Sequence, residues 1–210
     1  MDFSNLKGKL IVFSGLDGSG KSTQAKILRK SLYHEGRNVA AHQSILTASN
    51  VITERFTKSK EIQINQWCGT DAFCFTEAIN DVKIIQTKLY PKLLLDDSII
   101  IRSRYICCWL AVAIASGASN TNVLLDIFSA TVKPVIQFHL DINHYQAMER
   151  IKMRAKKVDS KENEEFLCEF HRAYEVALKL FNHKIVRIDA TMSVKKITDI
   201  VRTETNNAIN

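Results

Sequence analysis

A chain of 210 residues, 46% of them hydrophobic, can bury one substantial core, and its length is that of one domain. Two prolines and seven glycines exclude a linker-rich or low-complexity chain, and no internal repeat divides it. A formal net charge of +7 admits two kinds of anionic partner, nucleic acid or a pocket for several phosphates.

The start, "MDFSNLKGK", lacks the basic-then-apolar order of a signal peptide. The longest later apolar run, "YICCWLAVAIASG", is shorter than the roughly 20 residues that span a bilayer and is rich in small residues. A cytoplasmic enzyme with no membrane partner is the expectation. The cysteines at 68, 74, 107, 108 and 168 form an odd set without a C-x-x-C pair, so free thiols are expected rather than disulfides or zinc.

In chain order, Leu10–Ser14 reads as a buried strand, apolar throughout and closed by a glycine loop. From Ser22 to about Glu35 the pattern becomes helical, with Ala25, Leu28 and Leu32 on one face and Gly36 as the stop. "NVAAHQSI" is a weaker second strand. Residues 71–95 read as a helix with Ala78, Val82, Ile85, Leu89 and Leu93 on one face, bent or divided by Pro91. "SIIIRS" is a buried strand, followed by a helix from about Ile106 to Ser116. "VIQFHLDI" is the next strand, and a long basic helix starts near Tyr145. "FLCEFHRAYEVALKLF" is an amphipathic helix, "KIVRIDA" a last strand, and "SVKKITDIVRTETNNAI" a closing helix with Ser193 as its cap. Doubly apolar strands alternating with helices imply an α/β fold, a parallel sheet with helices on both faces.

"GLDGSGKS", Gly15 to Ser22, fits G-x-x-x-x-G-K-[ST] in full, between a strand and a helix. Glycines let successive N–H groups turn inward around an anion, and the helix that follows points its positive end there. Lys21 is expected to reach the β- and γ-phosphates of a bound nucleotide, and the Ser22 hydroxyl to ligate Mg²⁺. The cradle as a whole takes in Gly15, Asp17, Gly18, Ser19, Gly20, Lys21, Ser22 and Thr23.

"SIIIRS" delivers Ser103, Arg104 and Tyr105 to the strand's carboxyl end, the edge where open α/β sheets bind ligands. A charged residue right after the isoleucines is expected at the strand's mouth, because burying it unpaired is too costly; Arg104 is therefore a candidate for a second phosphate. Arg150, Arg154, Lys157 and Lys161 share one face of the basic helix. They read either as a solvated face or as a segment that closes over transferring phosphates. No aromatic residues interleave with this stretch, so nucleic acid is not favoured. Asp17 inside the cradle reads as a turn residue or as a contact to metal or substrate, and His139 as a satisfied core histidine.

The chain resembles the thymidylate kinase family of P-loop nucleoside-monophosphate kinases in "IVFSGLDGSGKSTQAKIL", "IIIRSRYICCWLAVA", "FHLDINHYQAMERIKMRAKK", "EFLCEFHRAYEVAL" and "RIDATMSVKKITDIV". The resemblance implies a three-layer P-loop NTPase fold with a doubly wound five-stranded sheet, a homodimer, ATP and Mg²⁺, and phosphoryl transfer to dTMP. It implies Lys21 on the β/γ-phosphates, Arg104 on the acceptor phosphate with Tyr105 beside it, and Asp17 at the sugar or metal. Arg150 and Arg154, opening a lid over about 150–163, would clamp the phosphates or the adenine. Three departures lie on the acceptor side. Ser103 stands for the family's aspartate, "AAHQSILTASN" replaces its Arg-Glu-Pro-Gly-Gly segment, and "FCFTEAIND" offers carboxylates where an arginine is expected. Two other readings remain: a deoxynucleoside kinase, since "RIKMRAKK" resembles that family's lid, and a nucleotide-binding module without catalysis.

Overall fold

Leu10–Phe13 form the centre of the sheet, because a run that is apolar on both faces must be covered from both sides. In the computed structural model, which describes residues 6–43, 69–153 and 164–209, five parallel strands build one sheet. They are β1 Lys9–Ser14, β2 Asn38–Gln43, β3 Ser98–Ser103, β4 Ile136–Asp141 and β5 Ile185–Asp189, in the order β2-β3-β1-β4-β5. Phe13 lies in register with Phe138, and their rings stack at 5.2 Å.

The helices among the described residues are α1 Lys21–His34, α2 Thr70–Ile84, α3 Tyr90–Leu93, α4 Ile106–Ala115, α5 Thr121–Ser129, α6 His144–Lys152, α7 Glu164–Lys179 and α8 Val194–Ile209. They group into two packed sets, α1 with α8, and α4 with α2, α5 and α7, with α6 also packed on α7. Ala25, Leu28 and Leu32 are buried on α1, as their spacing requires. Ser193 caps α8 through the amide of Lys196 at 3.3 Å.

The helical run ending near Pro91 is divided, as expected. Ile85–Leu89 is π-helical and α3 begins at Tyr90, with Pro91 in its first turn. A proline has no N–H and its ring crowds the preceding turn, so widening that turn resolves the clash. Helix α5 was not legible from the pattern: it is short and Asn120 makes no side-chain cap, although Leu124 and Phe128 bury one face. The basic helix begins at His144, capped by Asn143, and is described as far as Lys152. Arg154, Lys157, Lys161 and most of the expected lid lie outside the described residues.

The chain places β3 and β4 on opposite sides of β1, so the ends of these strands flank a switch point. Open α/β sheets bind ligands at that crevice. The loop after β1, Arg104 after β3 and α6 after β4 all open there.

Candidate active site

Two glycines show why the loop after β1 needs its sequence. Gly15 has φ +132° and a Cβ there would sit 2.3 Å from the Leu140 carbonyl oxygen; Gly18 has φ +87° and a Cβ would sit 2.7 Å from that of Ala147. Side chains are excluded at both, by backbone angle and by space. Gly20 is the N-cap of α1 and supplies no side-chain cap. The amides of Gly18, Gly20 and Ser22 make no hydrogen bond to other described residues. They stand at the positive end of a 14-residue helix.

The Lys21 side chain is buried and curls back over the loop, donating to the carbonyls of Gly15 at 2.8 Å and Leu16 at 2.6 Å. Ser19 Oγ is buried without a hydrogen-bond partner among the described residues. Ser22 and Thr23, by contrast, are exposed at the start of α1. Unengaged amides around a buried ammonium, beside exposed hydroxyls, suit an anion with several oxygens and a cation bound to it.

Asp17 is the hinge of the charge arrangement. Its carboxylate pairs with the Arg104 guanidinium and lies 3.8 Å from Lys21 Nζ. Arg104 follows β3 with φ +68°, a left-handed conformation that costs an arginine roughly 1–2 kcal/mol. Its amide is fixed to the Phe13 carbonyl at 2.8 Å. Burial alone would lower the Arg104 pKa, but the Asp17 carboxylate outweighs it and holds the guanidinium firmly charged. Arg104 stays at the strand's mouth, a quarter exposed at 27%.

Arg150 reaches the same loop from α6. It donates to the Ala190 carbonyl at 2.8 Å and the Gly18 carbonyl at 3.4 Å, tying the loop to the segment after β5. Gly15, Asp17, Gly18, Ser19, Gly20, Lys21, Ser22, Thr23, Arg104 and Arg150 thus share one region, while Arg154 lies outside the described residues.

Tyr105 is not brought to that region. It is fully buried, and its hydroxyl donates to the Val132 carbonyl at 2.6 Å. The residue that follows the isoleucines directly is Arg102, which the sequence reading did not single out. It is 0% exposed and paired with Asp81 of α2, its guanidinium 5.1 Å from the Tyr105 ring. The penalty that would drive it to the strand's mouth applies to an unpaired charge, and α2 supplies the partner.

Beneath the loop lies a buried polar cluster that sequence reasoning missed. Ser14 Oγ is 3.1 Å from His139 Nδ1 and accepts from Gln137 at 3.0 Å. The His139 ring packs at a tilt against Tyr174 of α7, whose hydroxyl meets the Gly15 peptide. His139 is the satisfied core histidine expected, and burial holds its pKa down to about 4. Tyr174 reads in sequence as one more apolar-face position of "FHRAYEVAL", and nothing local marks its partner 159 residues away. Cys74, Cys107, Cys108 and Cys168 are free thiols, as expected; Cys68 lies outside the described residues.

A family model described as "Thymidylate kinase" matches residues 13–201, nearly the whole chain. The chain belongs to the thymidylate kinase family. It is 29% identical to the thymidylate kinase of Caldicellulosiruptor saccharolyticus, over 94% of this chain and 95% of that one. It is also 29% identical to the thymidylate kinase of Buchnera aphidicola, over 91% of this chain and 92% of the relative. For the thymidylate kinase of Thermoanaerobacter pseudethanolicus the identity is 23%, over 91% and 94%. Matching lengths throughout put the phosphate loop, the end of β3 and the closing helix inside one thymidylate kinase frame. The comparisons give no support to a deoxynucleoside kinase or to a module without catalysis. Among the described residues, no helix is long and apolar enough to cross a membrane.

Proposed function

We propose that this chain is an ATP-dependent nucleoside-monophosphate kinase that converts dTMP to dTDP, within a single kinase domain over residues 1–210. One observation supports the reading: Asp17 holds Arg104 while lying 3.8 Å from Lys21, so the cation proposed for the donor and the cation proposed for the acceptor meet at one carboxylate. Phosphoryl transfer is mainly positioning and electrostatics, and it needs such cations on both sides of the moving group.

Lys21 would leave the loop carbonyls for the β- and γ-phosphates, with the amides of Gly18, Gly20 and Ser22 around them. Mg²⁺, when bound with ATP, would neutralise phosphate charge, and the Ser22 hydroxyl would hold it. Thr23 lies beside it. Arg104 would bind the acceptor phosphate and Asp17 would keep its guanidinium aimed, or contact the sugar. Arg150 would hold the loop against the base side of the nucleotide. Arg154 and the stretch beyond it remain the proposed lid. Tyr105 would act from the core, by fixing the turn that carries Arg104. The family frame also motivates a homodimer in the cytoplasm, and the pattern of its basic stretch does not favour nucleic acid.

The test is ADP formation from ATP in the presence of dTMP. Turnover should depend on dTMP and fall by about 100-fold or more in Lys21→Ala. A wild-type protein that binds ATP but does not turn over with dTMP would overturn the reading.

A further inference from the structure

Lys21 Nζ rests on two carbonyls, with the Asp17 carboxylate 3.8 Å away, and each carbonyl carries a second donor. The Gly15 oxygen accepts from Lys21 Nζ at 2.8 Å and from the Tyr174 hydroxyl at 3.2 Å. The Leu16 oxygen accepts from Lys21 Nζ at 2.6 Å and from the Ser19 amide at 3.1 Å. A buried carbonyl stripped of its only donor is expensive, so an ammonium held by such carbonyls would resist leaving them. With a second donor already in place, neither oxygen is orphaned by the departure.

We propose that Tyr174 is a positioning residue: its hydroxyl keeps the Gly15 peptide hydrogen-bonded and so frees Lys21 to move from the loop to the nucleotide phosphates. The inference rests on the reading of Lys21 as the phosphate-binding cation. Its geometry is specific to a hydroxyl. The single O–H donates to the Gly15 carbonyl, and the oxygen accepts from the Gly15 amide at 3.4 Å. Burial keeps the phenol protonated, hence a donor. The ring is fully buried and is locked between His139, at 4.9 Å, and Phe170, at 4.7 Å. Phenylalanine would keep that ring packing and lose the oxygen with its contacts to the Gly15 peptide and to Cys108. Because Tyr174 lies on α7, the element after residues 154–163, the same contact couples that helix to the first residue of the phosphate loop.

A double-mutant cycle on Mg–ATP affinity tests this by equilibrium titration of wild type, Tyr174→Phe, Lys21→Ala and the pair. Tyr174→Phe should weaken Mg–ATP binding roughly three- to tenfold, with the KM for dTMP unchanged. In the Lys21→Ala background the same substitution should have no effect, because no ammonium remains to be released. An equal loss in both backgrounds, or no loss in either, overturns the proposal and leaves Tyr174 a packing residue. If Lys21→Ala binds Mg–ATP as tightly as wild type, the parent reading of Lys21 fails instead. A measurement on the unmodified protein covers a poorly folding variant. The Gly15 amide should stay protected from hydrogen exchange when Mg–ATP is added, and rapid exchange on addition would show that the tyrosine contact does not persist.

Discussion

The Asp17 carboxylate accepts a hydrogen bond from the Arg104 guanidinium, joining the phosphate loop to the end of β3. The two residues lie 87 positions apart in the chain, and the pair is only partly buried. A charge-assisted contact of this kind aims the arginine as well as neutralising it.

Asp17→Asn keeps the shape and removes the charge. Arg104 should lose its orientation, and kcat/KM for dTMP should fall by about 10- to 100-fold, whereas Mg–ATP affinity should change little. Steady-state kinetics with each substrate varied in turn gives the split. A loss confined to the ATP side would remove Arg104 from the acceptor role.

The Arg102–Asp81 pair is deep in the protein, with side chains 0% and 3% exposed. Asp81→Leu alone leaves a buried guanidinium without its carboxylate and should destabilise the fold by about 3–5 kcal/mol. Adding Arg102→Met should recover most of that loss, because two apolar groups of similar volume remove both charges together. Urea unfolding of the single and double variants decides it; equal stability of the two would mean that the ion pair is not coupled.

Acid should weaken the protein through its buried histidines. Burial lowers the pKa of His139 to about 4, and burial with Lys133 lowers that of His183 to about 4. Both lie below the ordinary histidine value of about 6.5, so between those limits the unfolded chain binds protons that the folded chain refuses. Stability is therefore full above about pH 6.5 and falls as the pH drops toward 4, by up to about 1.4 kcal/mol per pH unit for His139. His183 is only half-buried, so solvent screening makes its share smaller. Urea midpoints at successive pH values should show this slope, and His139→Gln should flatten it. A stability that is level between pH 7 and 5 would contradict the assignment.

The sequence pattern of the loop was legible in the chain, because its backbone angles and its place between strand and helix are local, whereas the contacts of Gly15 with Leu140 and of Gly18 with Ala147 were not. A strand must end, glycines must accept angles closed to side chains, and a lysine must open the helix. The parallel α/β architecture was legible for a related reason: the strands are apolar on both faces, and a sheet buried twice requires helices between its strands. Even the break before Pro91 follows from one missing N–H. The resemblance to thymidylate kinases rests on these same local stretches, which is why it survives at 23–29% identity.

What folding alone decided are the pairings. Arg102 on β3 and Arg104 just past its end stand two residues apart, yet one is sealed against Asp81 and the other left at the crevice with Asp17. Tyr174 meets Gly15, and Gln137 meets Ser14, across more than a hundred residues. Hydrogen bonds and close ion pairs form only at contact distance and depend on what surrounds a group, so a residue's charge or hydroxyl acquires its task only when the sheet order brings its partner near.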